Sequence, residues 1–73
     1  MSLTQVTIPA ALATERLTRA VHAARRTVRR AALHVDTVTF TGGDVHAAIE
    51  DVVRAGTALE QAEAELAAVE VAA

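Results

Sequence analysis

The sequence predicts a mainly α-helical fold in which two long amphipathic helices form an antiparallel hairpin. Three observations indicate this fold. Two long stretches are compatible with helix, apolar residues recur in each at helical spacing, and a short segment ending in two glycines joins them. Helices of similar length joined by a short connection pack antiparallel by default. We therefore expect residues 1–73 to form a single small domain.

The chain begins with a segment, residues 2–8, that is predicted to be extended. Thr4, Val6 and Ile8 recur at the period of a strand, and β-branched side chains are frequent. Residues 35–41 contain five Val or Thr and are predicted to be extended as well. Because a lone two-stranded sheet is marginal in water, pairing with another chain is expected if these segments pair as strands. A β-α-β-α topology, in which the two segments pair with each other, is the alternative.

The first helix is predicted over residues 9–34. Pro9 suits the first turn of a helix, where its missing N–H costs nothing. An apolar stripe then recurs at alternating spacings of 4 and 3 residues, as expected for a face that packs on another helix. The stripe consists of Leu17, Val21, Ala24, Val28, Ala31 and Val35.

The second helix is predicted over residues 44–70, after a connector at 35–43, with Asp44 as its N-terminal cap. The spacing of its apolar stripe is irregular near Gly56, which predicts local overwinding of the seam. Gly56 weakens the helix, but we expect it to allow another backbone to come close. The predicted stripe consists of Val45, Ile49, Val52, Ala55, Leu59, Ala62, Leu66 and Val69.

Charge is divided unevenly along the chain. The formal net charge is −2, yet residues 10–34 carry +5 and residues 44–73 carry −6. Such asymmetry indicates pairing within the chain, pairing between copies, or a basic surface for an anionic partner. All seven basic residues are Arg, as expected for an Ala-, Val- and Arg-rich composition encoded by GC-rich codons.

The stripe of the first helix determines where its arginines point. In a heptad in which the stripe occupies positions a and d, most of the arginines fall at b, c and f, away from the partner helix, and only Arg25 flanks the seam. A solvated face, an acidic partner surface and nucleic acid are the three interpretations of this basic face. The candidate partner-binding residues are Arg19, Arg26, Arg29, Arg30, Glu50, Asp51 and Glu60.

The composition predicts a thin core. Apolar residues make up 52% of the chain, but 18 of the 73 residues are alanine, and there is one Phe and no Trp or Tyr. Domains of this size usually need a staple, a metal or a partner. Three large apolar residues, Leu12, Leu33 and Val53, also lie off the predicted stripes and indicate a second contact surface. We therefore expect the chain to associate with itself or with a larger protein assembly.

Several function classes are disfavoured by the residues present. The chain has no cysteine and one serine, Ser2, so we expect no enzyme activity, no cofactor and no metal. His34 and His46, with Asp36 and Asp44, form a weaker zinc alternative across the connector. No apolar run approaches a membrane span, and the start lacks a secretory signal, so a cytoplasmic location or a place within a particle is expected.

These features together predict a non-enzymatic structural or assembly subunit, such as a virion component or an accessory subunit. The alternative is a small DNA-binding regulator. Residues 4–12 (TQVTIPAAL) resemble the opening of ribbon-helix-helix repressors, whose strand pairs in a dimer and enters the major groove. The resemblance covers about a dozen residues, and it implies DNA binding that involves the arginine-rich first helix. It ends where the predicted helix continues without the Gly-containing turn of that family.

Overall fold

The computed structural model describes residues 3–72, and the side chains of residues 12–72. Helix α1 spans Leu3–Thr41 and helix α2 spans Val45–Ala72, and they pack against each other as an antiparallel hairpin. The predicted hairpin is thus confirmed. It is a rod of 61 × 15 × 13 Å, whose length is set by the 39 residues of α1 at about 1.5 Å each.

The connection between the helices is only three residues long and is stabilised by both helix ends. The amides of Gly42 and Gly43 donate to the carbonyl of Val38 at 2.9 and 3.0 Å, which satisfies the open end of α1. Gly42 has a φ of +81°, a conformation that disfavours a side chain. The Asp44 carboxylate accepts the Ala47 amide at 3.1 Å, so the predicted cap of α2 is confirmed.

The predicted connector at residues 35–41 is wrong, because these residues form the last two turns of α1. Their Val and Thr content favours strands only weakly, since β propensity depends on context. Here the hydroxyls of Thr37 and Thr39 donate to the carbonyls of Leu33 and Val35 at 3.1 and 2.8 Å, within the helix. Val38 is half-buried, so helical packing against α2 gives this segment a buried face.

The prediction of an extended start is also wrong for residues 3–8, which belong to α1, whereas Ser2 lies outside the described residues. No strand occurs between residues 3 and 72, so the β-α-β-α alternative is excluded for that part of the chain. A helix satisfies its own backbone groups, whereas an isolated strand has no partner for them. α1 is consequently longer than α2 and extends beyond it at the end opposite the loop.

The seam between the helices confirms the stripe of α1 and corrects that of α2. The α1 stripe is half-buried or buried throughout and continues to Val38. In α2, Ala48 is 2% exposed and takes the seam position predicted for Ile49, which is 47% exposed. The α2 seam therefore runs at regular spacings of 3 and 4 residues, and the predicted irregularity near Gly56 disappears.

The core is thin, as the composition predicts. Among the described side chains only Val21, Ala48 and Ala55 are buried, and none of the large ones is completely enclosed. Two of these three residues are alanines, which contribute little apolar area at roughly 25 cal/mol per Å². Most of the seam thus remains partly open to solvent on both sides of the hairpin.

Candidate interaction surfaces

The predicted basic residues form an exposed face on α1 that points away from α2. Arg19, Arg26, Arg29 and Arg30 are all exposed, as the heptad positions predict. Arg19 pairs with Glu15 of its own helix, at 3.4 Å. Within residues 12–72, the other three form no ion pair, so their charge is not neutralised by the chain itself.

Among the side chains of residues 12–72, one ion pair connects the helices. Arg25 lies 3.3 Å from Glu63, and both side chains are about half exposed. Exposed pairs of this kind stabilise a fold by at most about 1 kcal/mol. The pair is more informative as a marker of register, because it places residue 25 of α1 level with residue 63 of α2. It also confirms that Arg25 flanks the seam.

The predicted acidic residues of α2 differ in their surroundings. Glu50 lies 3.4 Å from His46, a contact that is ionic only when the histidine is protonated, and Asp51 pairs with Arg54 at 3.0 Å. Glu60 is exposed and has no ion-pair partner among the described side chains. The structure therefore does not gather the predicted residues into one site. The basic set lies on α1 and the acidic set on α2.

A shallow groove follows one side of the seam. It comprises two adjoining depressions of about 300 and 370 Å³ that share Thr27, Ala31 and Asp51. Ala55 and Ala58 complete its apolar floor, so the groove exists because small side chains line it. No polar side chain is buried among the described residues, and the groove offers no enclosed set of groups for acid–base or nucleophilic chemistry.

Exposed apolar side chains form a further feature of the surface. Leu12, Leu33 and Val53, which were predicted to lie off the stripes, are each at least half exposed. The sequence interpretation missed Ile49, which was placed in the seam, and Phe40, which was placed in the connector. Phe40 is the only aromatic residue of the chain and is 94% exposed. A helical period applied to residues 35–41 would have placed Phe40 seven residues after Leu33, on the same outer face.

The histidines do not form a metal site in the described part of the chain. No group of three or more His, Asp or Glu side chains there is arranged to hold a metal ion, so His34 and His46 do not form the zinc alternative with Asp36 and Asp44. Neither α1 nor α2, over the residues described, is long and apolar enough to cross a membrane.

No protein-family model, curated protein or solved structure matches this chain.

Proposed function

We propose that this chain is a non-enzymatic assembly subunit, which associates with itself or with a larger protein complex through its helix faces. The observation that carries the proposal is the separation of charge. α1 carries a net charge of +4 and α2 a net charge of −5, yet a single ion pair connects the two helices in the described chain. The outward charges without an ion-pair partner among the described side chains are available to neighbouring molecules, and they include Arg26, Arg29, Arg30 and Glu60.

The complementary faces lie on different helices of the same molecule. When the basic face of one copy meets the acidic face of another only once, the contact is heterologous, and such contacts close into rings or continue into arrays. A particle such as a virion, or an enzyme complex that carries accessory subunits, would provide a setting of this kind. The thin core supports the same proposal, because small domains gain stability when a partner covers their apolar surface.

The DNA-binding alternative loses its structural support. The strand that the ribbon-helix arrangement requires coincides with residues 3–8, which are helical. The exposed arginines alone do not distinguish phosphate from carboxylate partners, so binding to duplex DNA becomes an outcome of the test.

The test is the solution mass of the chain, measured by light scattering at low and high salt. We expect a multimer at low salt whose mass falls as salt rises, because screening weakens contacts between exposed charges. At low salt, the variant R26E/R30E should have the mass that the wild type has at high salt. Its helicity by far-UV circular dichroism should be unchanged. The matched control is R54E, because Arg54 already pairs with Asp51 on its own helix.

An R26E/R30E variant that assembles as the wild type does would refute docking through the basic face. If the wild-type chain were monomeric at both salt concentrations, it would be tested for binding to duplex DNA. Affinity for DNA that falls steeply with salt would replace the assembly proposal with the nucleic-acid one.

A further inference from the structure

We propose that two copies of this chain pair side by side through one defined face of the hairpin, so that α1 of each copy lies against α2 of the other. The inference rests on the proposed function and names the partner, a second copy. The face, called here the Val53 face, consists of Ile49, Val53 and Gly56 on α2 and Ala32 on α1.

The register of the helices places these four residues on the same side of the hairpin. Arg25 and Glu63 contact each other on that side. Residues seven apart lie on nearly the same side of a helix, so Ala32 follows Arg25 there, while Gly56 and Ile49 precede Glu63. Val53 lies four residues after Ile49 and three before Gly56, and is their neighbour on the helix surface.

The Val53 face is apolar and uncovered. Val53 is 63% exposed and Ile49 is 47% exposed, although both are large β-branched side chains. They are next to each other on the surface of α2, whereas scattered exposed apolar residues would need no explanation. No polar side chain separates them along the line Ile49–Val53–Gly56.

Gly56 marks where a second backbone would approach. A Cβ added at this position would meet nothing within 4 Å, and the residue is helical, so the isolated hairpin does not require glycine here. A mid-helix glycine costs about 1 kcal/mol relative to alanine. A close contact with another helix uses the space that the absent side chain leaves. Ala32, level with Gly56 on α1, is also small.

The hairpin exposes more surface than a compact protein of the same mass, so part of this surface can be buried in such a contact. It exposes 5667 Å², whereas a compact monomer of 7.6 kDa exposes about 4,300 Å². A stable protein–protein interface buries about 800 Å² from each partner. Covering one side of the rod would therefore remove more than half of the excess over the exposed area of a compact monomer.

Charge selects the arrangement of the two copies. Arg29 lies one turn from Arg25, and Glu60 lies one turn from Glu63, both toward the loop. The two charges thus stand level, at opposite edges of the Val53 face, and neither has an ion-pair partner among the described side chains.

A twofold axis parallel to the long axis of the hairpin gives both Arg29 and Glu60 a partner of opposite charge. It places α1 of one copy on α2 of the other, so that Arg29 meets Glu60 of the second copy, twice in the dimer. An arrangement with α1 on α1 would oppose the basic helices of the two copies instead, which is disfavoured.

Charge reversal tests the arrangement directly. In moderate salt, light scattering should give the mass of two chains for the wild type. R29E and E60R should each shift the mass toward one chain, and the double variant R29E/E60R should restore it, since the pair is re-formed with opposite polarity. The matched control is R54E, because Arg54 lines the groove on the other side of the seam and its reversal should leave the two-chain unit intact.

The apolar contact is tested separately. V53D and G56L should both give single chains, and G56L is informative because a Cβ added at Gly56 meets nothing within 4 Å in the isolated hairpin. V71D is the control, since Val71 is also exposed on α2 but lies near its end. Helicity by circular dichroism confirms that each variant is folded.

The outcomes separate this inference from the proposed function. Loss of the two-chain unit in R29E, E60R, V53D and G56L, with rescue in R29E/E60R, supports the pairing. A wild-type multimer that none of these variants changes would overturn the Val53 face while leaving the assembly function in place. A wild-type chain that is monomeric at every concentration would overturn the pairing. The proposed assembly function would then stand only if the chain binds a different protein.

Discussion

Gly42 is the residue that allows α1 to end and the chain to reverse within three residues. Its φ of +81° lies in the left-handed region, and its amide donates to Val38 while the amide of Gly43 donates to the same carbonyl. This geometry closes the open carbonyl end of the helix. The next residue, Asp44, caps α2, so each of the three loop residues has a structural role.

Replacing Gly42 by alanine should lower the free energy of unfolding by about 1–2 kcal/mol, because an L side chain is strained in the left-handed region. The space around the position is open, so the cost comes from the backbone and not from a clash. Gly42→Asn is the matched control and should cost less, since asparagine tolerates this conformation better. Thermal or urea unfolding checks both. Equal stability of the alanine variant and the wild type would contradict the assigned turn.

At the scale of the helices, tertiary contacts outweigh local propensity at two places. The five Val and Thr between residues 35 and 41 favour a strand on composition, but the segment lies opposite the start of α2 and packs Val38 on it. The second place is the start of α2, where Ala48 takes the seam position predicted for Ile49 and gives the stripe a regular 3–4 spacing. Composition alone gives neither answer, because Val38 is half-buried only when its segment is helical and Ala48 follows from the spacing of the whole α2 stripe.

Other parts of the candidate surfaces could be predicted from the sequence. The heptad of α1 alone places its arginines outward, and the off-stripe positions of Leu33 and Val53 indicate their exposure. The Val53 face could not be derived in this way. It combines residues of both helices, and the register that brings Ala32 level with Gly56 becomes visible only through the Arg25–Glu63 contact.

Thr37→Ala tests whether the end of α1 is helical in solution. In a helix this change should raise the free energy of unfolding by about 0.5 kcal/mol, since threonine has a lower helix propensity than alanine. In an extended connector the change would have the opposite sign, because threonine is favoured there. Thr57→Ala is the matched control. Thr57 is exposed on α2, and its hydroxyl donates to the carbonyl four residues earlier, as that of Thr37 does. The two variants should agree in sign and size.

At the scale of the whole molecule, the hairpin combines a long seam with a small enclosed core. Its radius of gyration is 17.2 Å, whereas a compact protein of 73 residues has a radius of about 11 Å. Every seam residue is therefore close to solvent on at least one side. A second chain on the Val53 face would remove part of that exposure, and the same contact would link folding stability to association.

This linkage makes the thermal midpoint depend on protein concentration. If paired chains are the stable form, raising the concentration shifts the equilibrium toward the folded dimer, and the midpoint rises steadily with it. V53D should remove this dependence and give the same midpoint at all concentrations, because its folded state has one chain. V71D should behave as the wild type does. Circular dichroism melts over a hundredfold dilution series would measure all three proteins. A wild-type midpoint that does not move across the series would show that the hairpin reaches its full stability as a single chain.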